Sequence, residues 1–359
     1  MKYYRLDKIL KYKAKYNMIV SGRSDGKTYA VLEYIIKQYF ATGKTGAIVR
    51  RFQDDFIGKR GQQMFAALVE NGVIKNESGG LYNSVYYRAS KWYFCVVQDG
   101  KMIECAETPF CYGFAITSQE HDKSTSYPTI TTVLFDEFIT RSVYLPDEFV
   151  LFCNVLSTII RQRDDVTIFM CGNTISKYCP YFDEMGLKHI EKMEQGTIDV
   201  YQYGDSGLTV AVEYPKIGGF HKKKSNVYFA FSNPKLSMIS DGKWELDIYP
   251  HCPRKYRPCE VVFTFFIVFN AHIIQCEIVS GGQDIFVFCH NKTSELKNIE
   301  NDLIYDAALN TTRPNIRRNF SAPIDNIDRK ILALYKSHRF FYADNEIGDT
   351  VKNFVIQTA

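Results

Sequence analysis

The sequence predicts an α/β fold: a parallel sheet with helices on both faces, followed by a smaller α+β domain. Three observations predict it. Short apolar runs alternate with amphipathic helical stretches over residues 1–215. A loop ending in Gly26-Lys27-Thr28 joins the first apolar run to the first helix. A later apolar run ends in two adjacent carboxylates, Asp136-Glu137. Strands that alternate with helices pair in parallel, because each crossover helix packs back onto the sheet.

The elements follow in order. Residues 17–20 read as a short buried strand. Lys27-Thr28 then opens a helix whose apolar residues Val31, Leu32, Ile35, Ile36 and Tyr39 keep to one face, and Gly43 stands where a helix end favours glycine. Residues 46–50 form the next strand, and 62–71 a polar helical stretch. Residues 79–99 alternate around a polar turn and read as an inserted hairpin. Residues 113–117 and 131–135 are further strands. Leu145-Pro146-Asp147-Glu148 starts a helix that runs to about Arg163, with proline near its first turn. Residues 166–170 are a strand that ends at Cys171-Gly172-Asn173.

The chemistry sits at the ends of these strands. Phosphate binding needs backbone N–H groups aimed at one point, a helix N-terminus behind them and a cation. Ser21, Gly22, Arg23, Ser24, Asp25, Gly26, Lys27 and Thr28 supply all three between an expected strand and an expected helix, which is the context of a P-loop. Ser21 departs from the first glycine of GxxxxGK[ST], and Gly22 beside it is expected to take the unusual dihedrals. Thr28 and Asp136 suit a magnesium ion, since a strand-end aspartate holds the metal's water shell. Glu137 is placed to take a proton from an attacking water. The DxxG and NKxD motifs of Ras-like GTPases do not appear where they are needed. A glutamate directly after the aspartate points to the additional-strand, catalytic-glutamate class of P-loop NTPases, with ATP and Mg2+ as cofactors.

Other polar residues join this set. Asn173 is a candidate for orienting the water and sensing the γ-phosphate; an asparagine in a tight turn is the plainer reading. Arg161 is a candidate finger acting on a neighbour's nucleotide, against ordinary pairing at a helix C-terminus. Lys123, on a polar loop before the Asp-Glu strand, is a second candidate cation in trans. Arg50 and Arg51 follow the second strand and are expected near the base or the triphosphate, as is Arg23.

Composition bounds the rest. A chain of 359 residues is long for one domain and comfortable for two. Residues 216–258 are basic and rich in chain breakers, and read as a linker with one helix from about Asn226. Residues 259–359 read as the second domain, with long β-like runs around Gly281-Gly282 and helices over 293–309 and 325–337. The N-terminus does not resemble a signal peptide, and the apolar run Val261–Phe269 is far short of the roughly 20 residues a membrane helix needs, so an intracellular, soluble protein with no membrane partner is expected. The 10 cysteines contain no CxxC pair and sit in strand-like apolar company, so reduced core thiols are expected over zinc ligands at His251, Cys252, Cys259, Cys289 and His290. The net charge of +4 proves nothing about partners, but clusters at residues 2–15, 222–224, 254–257 and 313–318 suit a phosphate backbone.

These motifs together resemble the DNA-packaging ATPases, or encapsidation proteins, of small tailed phages with protein-primed genomes. The resemblance rests on Ser-Gly-Arg-Ser-Asp-Gly-Lys-Thr, Ile-Val-Arg-Arg, the run from Lys123 to Phe138, Leu-Pro-Asp-Glu, Arg-Gln-Arg, Asn-Thr and Pro180-Tyr181-Phe182, and covers roughly residues 15–215. It implies a terminase-like motor, a homo-oligomeric ring of five, docked on the portal of a prohead in the host cytoplasm and driving double-stranded DNA inward. Some members also use a structural packaging RNA. It implies phosphate-loop roles for Lys27 and Thr28, metal and base roles for Asp136 and Glu137, the finger role for Arg161 and a trans-acting role for Lys123. It also implies a C-terminal domain similar to an RNase H-like nuclease without its catalytic carboxylates. Asp284, Asp302 and Asp306 lie there, but Asp302 and Asp306 are expected on a solvated helix face with Glu300, so nucleic-acid binding through Arg313, Arg317 and Arg318 is favoured over cleavage. The alternatives are a helicase-like or recombination ATPase, a nucleotide switch with little turnover, and a small-molecule kinase.

Overall fold

The computed structural model describes residues 3–118, 125–140, 144–174, 179–216, 249–269, 272–282, 284–309 and 311–358. The chain divides into two compact units, Met1–Trp244 and Glu245–Ala359. The expected helix from Asn226 and most of the basic linker lie outside the described residues.

In the first unit, β1 (Tyr16–Ser21) feeds the phosphate loop and α1 (Lys27–Thr42), and β2 (Thr45–Arg50) follows. Three one-turn helices come next: α2 (Lys59–Gln63), α3 (Ala66–Glu70) and α4 (Val73–Glu77). They replace the single polar helix expected over 62–71. Gly72, at φ 70°, breaks the run in a conformation that costs glycine little, and Gly61 has Tyr87 and the Phe56 carbonyl too close for any side chain. The meander β3 (Ser84–Arg88), β4 (Lys91–Gln98) and β5 (Lys101–Cys105) follows, then β6 (Cys111–Ala115), β7 (Ile130–Asp136), α5 (Glu148–Ile160), β8 (Thr167–Asn173), α6 (Pro180–Glu184), β9 (Thr197–Tyr203) and β10 (Leu208–Tyr214). Pro146 lies ahead of α5, and the helix ends at Arg161, whose φ of 53° takes it out of the helical region.

The strand order is β3-β4-β6-β2-β7-β8-β1-β10-β9, with β5 also on β4. From β6 to β10 every pairing is parallel; β3, β4, β5 and β9 are antiparallel additions. The sheet is therefore mixed at its edges, where a purely parallel one was expected. The residues 79–99 hairpin is there, but it carries a third strand and joins the main sheet through β4 and β6. Its turns are two-residue reversals with positive φ at both positions, Ala89-Ser90 and Asp99-Gly100, which match the twist of paired strands.

The central strands are buried on both faces, so their side chains split by period two. Met18, Val20, Ala47, Val49, Val133 and Phe135 join one core with α5 and α6. Ile19, Ile48 and Leu134 join the other with α1 and the short helices. Helices thus cover both faces of the sheet.

In the second unit, β11 (Val261–Phe269), β12 (His272–Gly281) and β13 (Asp284–Asn291) form an antiparallel set. β14 (Leu303–Asp306), β15 (Ile316–Arg317), α7 (Asn326–Lys336), β16 (Phe340–Tyr342) and α8 (Asn345–Thr358) complete it. The sheet order is β15-β14-β11-β12-β13-β16, with β14, β15 and β16 added in parallel. The helix expected over 293–309 is absent: Leu303, Ile304 and Tyr305 are buried in β14, whose place beside β11 outweighs helical spacing. Asp302 and Asp306 therefore share no helix face.

Arg317 is not a free cation for nucleic acid, as was expected. It pairs with Asp325 at 2.7 Å and with the fully buried Asp328, which also accepts from the Tyr305 hydroxyl. Asp325 caps α7 by accepting from the Ile327 and Asp328 amides at 2.9 and 3.0 Å. The ten cysteines are all free thiols, and among the described residues no group of His, Cys, Asp and Glu is arranged to hold a metal. Among them, too, no helix is long and apolar enough to cross a membrane.

Phe169 is fully buried on β8 and packs edge-on to Tyr34 of α1. Phe169→Ala is expected to cost about 3–5 kcal/mol in urea unfolding of the first unit. Arg317 holds the Asp325 carboxyl at about 2, helped by the Asp328 amide. Because that value is depressed, its contribution is present above the unfolded carboxyl range and is lost as pH falls toward 2. Asp325→Ala should therefore cost about 1 kcal/mol near neutrality, and the gap to wild type should close in melts taken from pH 4 to pH 2.

Candidate functional site

The phosphate loop runs from the end of β1 to the start of α1. Ser21 is still in the strand, paired with Asn173 of β8, so the position needs no glycine. Within the loop the left-handed backbone falls on Ser24 (φ 61°) and Gly26 (φ 89°), where Gly22 was the expected site. Gly26 is also crowded: a Cβ there would lie 3.1 Å from that of Tyr3. The Tyr4 amide donates to the Asp25 carbonyl at 2.9 Å, which pins the loop from the N-terminal side.

Lys27 is buried, and its ammonium donates to the Gly22 carbonyl at 2.8 Å, the Asn173 Oδ1 at 3.1 Å and the Ser21 Oγ at 3.2 Å. Asn173 reaches Lys27 because β8 lies between β1 and β7. On the other side, Thr28 Oγ1 donates to Asp136 Oδ1 at 2.7 Å. A hydroxyl, a carboxylate, an ammonium and a helix N-terminus thus converge on a cavity of about 680 Å³. Arg23, Ser24, Asp25, Gly26, Glu137 and Asn173 line it as well. Hard oxygen donors beside a helix N-terminus and a lysine are the groups that would fit a magnesium nucleotide.

Glu137 is the first residue past β7 and has φ 60°, a conformation that costs a non-glycine residue about 1–3 kcal/mol. Arg50, the last residue of β2, and Arg51 just past it have different partners. Arg50 spans both carboxylates, donating to Asp136 Oδ2 at 2.6 Å and Glu137 Oε2 at 2.8 Å. Arg51 grips the buried Glu148 in a two-pronged pair at 2.7 and 2.8 Å, and donates to the main-chain carbonyls of Glu137 and Phe138 at 3.3 and 3.0 Å. Burial opposes its charge, yet the bond and charge of Glu148 hold its pKa above the ordinary guanidinium value. Burial, with the Glu148 charge next, pushes the Tyr181 hydroxyl far up, so it remains the donor of its 2.8 Å bond to Glu148.

Arg161 stands outside this cavity. It caps α5 and donates to the Thr125 carbonyl at 3.0 Å on the exposed surface. Its neighbour Arg163 ties the carbonyls of Tyr127, Ile130 and Ile159 together. Lys123 lies outside the described residues. Glu148 and Tyr181 went unread as site residues: an acid in a first helical turn carries no signal that it meets an arginine 97 positions upstream, nor a tyrosine after proline that it bonds that acid.

A family model described as podovirus DNA encapsidation protein (Gp16) matches residues 1–230. The chain belongs to this family. The DNA packaging protein of Bacillus phage B103 is 27% identical over 182 residues, which is 50% of each chain. That of Bacillus phage phi29 is 26% identical over 183 residues, 50% of this chain and 49% of the relative. The match therefore spans about half the length of these curated relatives. The fold extends further than the sequence likeness: a chain of the bacteriophage Phi-29 viral genome packaging motor assembly aligns over 99% of both chains, with a TM-score of 0.55 and 17% identity. The Phi-28 gp11 DNA packaging motor aligns over 99% of this chain and 98% of that one, with a TM-score of 0.55 and 15% identity. An encapsidation protein with this loop should depend on the Lys27 charge for nucleotide. Lys27→Ala is expected to weaken ATP binding by at least about tenfold, or about 1.4 kcal/mol, in equilibrium titration with a fluorescent ATP analogue.

Proposed function

We propose that this chain is the ATPase of a viral packaging motor, which moves double-stranded DNA into a preformed capsid through the portal. The carrying observation is that Lys27, Thr28, Asp136 and Glu137 converge on one cavity in a chain of the encapsidation family. Lys27 and the loop Ser21–Gly26 hold the phosphates, with Arg23 beside them. Thr28 and Asp136 hold Mg2+, which on binding neutralises phosphate charge. Glu137 accepts the proton of the attacking water, and Asn173 orients that water from the end of β8. Arg50 bridges Asp136 and Glu137, so it must let go of at least one carboxylate for both to work.

Several observations support the finer assignments. The placement of β8 between β1 and β7 supports the additional-strand, catalytic-glutamate class. We assign residues 1–215 to the ATPase domain, 216–258 to a basic linker and 259–359 to a nucleic-acid-binding domain. The order β13-β12-β11-β14-β15, antiparallel then parallel, supports an RNase H-like sheet. β11 carries no carboxylate, Asp284 pairs with Arg339 and Asp306 accepts from the Ala308 amide, which supports a domain that binds without cutting. Arg313 and Arg318 remain its candidate contacts. The working form is a homo-oligomeric ring of five on the prohead in the host cytoplasm, with Arg161 and Lys123 serving a neighbour's nucleotide. A structural packaging RNA is a further candidate partner.

The test is steady-state ATP hydrolysis with and without double-stranded DNA. Wild type should show DNA-stimulated turnover, and Glu137→Gln should lose at least about a hundredfold in kcat, within the usual range for a general base, while still binding ATP. Turnover unchanged in the variant would reject Glu137 as base. Stimulation by DNA without any dependence on portal or prohead would favour a helicase-like ATPase.

A further inference from the structure

We propose that Arg51 is the positioning residue for Glu137: a strut that pins the main chain at Glu137 and Phe138 to the first turn of α5, outside nucleotide binding. The inference rests on the reading of Glu137 as the water-activating base.

Arg51 lines the cavity, which invites a phosphate role. Its donors argue otherwise. Of the five N–H groups a guanidinium offers, four are engaged: two with Glu148, one with the Glu137 carbonyl and one with the Phe138 carbonyl. The side chain is only 8% exposed, and that of its partner Glu148 is 0%. Glu148 in turn accepts from the Tyr181 hydroxyl and from the Leu145 amide at 2.8 Å each, so each of its bonds fixes it to a different element. Tyr144 lies under the guanidinium at 5.3 Å. Phe135, Phe138, Phe149 and Phe152 ring Tyr181, which keeps water and its screening out of the pair.

The residue held by this strut is the one that needs holding. Glu137 has positive φ, and its side chain is 63% exposed, so apart from the 2.8 Å bond from Arg50, which must release for the base to act, packing does not fix its direction. Two carbonyl bonds from Arg51 fix the main chain instead, and the main chain aims the carboxylate. The anchor is Glu148, the first residue of α5, and Arg161 caps the same helix at its other end. The base and the candidate finger are thus joined through the two ends of α5.

The test compares the full-length wild type with Arg51→Met/Glu148→Gln and with Glu137→Gln, under conditions where wild type turns over ATP. The double variant removes the charges together, so neither is left buried alone, and Gln can accept from the Leu145 amide through its one carbonyl oxygen while its NH2 donates to the Tyr181 oxygen. Arg51→Met alone supplies the stability reference. If Arg51 is a strut, the double variant regains the thermal midpoint lost in the single one, binds a fluorescent ATP analogue within about twofold of wild type, and keeps kcat lowered by about tenfold or more. A kcat that returns with the midpoint overturns the proposal, because the pair would then serve the fold alone. An affinity that falls in step with kcat/KM also overturns it, because Arg51 would then be a nucleotide ligand. Should the double variant not fold, Arg51→Lys carries the same test: it keeps the charge facing Glu148 but cannot reach both carbonyls, so kcat must fall with affinity kept. Glu137→Gln at wild-type turnover would remove the base itself, and that failure is read separately from any Arg51 variant.

Discussion

The insertion of β8 between β1 and β7 is the constraint on which the site depends. Parallel register sets Ser21 beside Asn173 and Asp136 beside Cys171, so three strands end together at one edge of the sheet. Ligands of open α/β sheets bind at that edge, beyond the carboxyl ends of the strands. Only with β8 in the middle does Asn173 stand between the phosphate loop and the acidic pair. The wedge is closely packed: a Cβ on Gly172 would come within 2.8 Å of Ile139 and 2.9 Å of Phe138, so a side chain there would have to push both aside.

Arg50 at the end of β2 and Arg51 just past it show how a sheet divides labour between neighbours. Successive side chains on a strand point to opposite faces. Arg50 meets the carboxylates of Asp136 and Glu137. Arg51 turns into the aromatic layer around Tyr181 and meets Glu148. A charge enters such a layer only with a partner that bonds it fully, since a lone buried charge is far costlier than a paired one. The pair therefore fixes the geometry of whatever else it touches, here the main chain after β7.

In the second unit the acids and bases build structure. Asp328 and Arg317 are joined inside the fold with Tyr305, and Asp325 caps the helix that carries Asp328. These contacts tie β14, β15 and α7 into one block around the buried ring of Phe320. The arginine cluster at 313–318 is thus not uniform: Arg317 of β15 holds the fold together, while Arg313 and Arg318 lie outside that strand.

The sequence by itself determined the phosphate loop, the strand with its Asp-Glu end, the asparagine at the end of β8 and the family to which they belong. Those signals are local: a loop between strand and helix and a carboxylate at a strand end are written in consecutive residues. Period-two burial made the central strands legible, and the single-face spacing of Val31, Leu32, Ile35 and Ile36 did the same for α1. Tertiary structure alone decided the antiparallel edges, the replacement of a helix by β14, the break-up of the polar helix into α2, α3 and α4, and the fates of Arg50, Arg51 and Arg317. Arg50, Arg51 and β14 turn on partners distant in sequence, Arg317 on carboxylates 8 and 11 positions on, and the broken helix on the conformation of Gly72 and the crowding of Gly61. An arginine's meaning depends on which carboxylate faces it, and a short apolar run becomes strand or helix according to the neighbour that buries it.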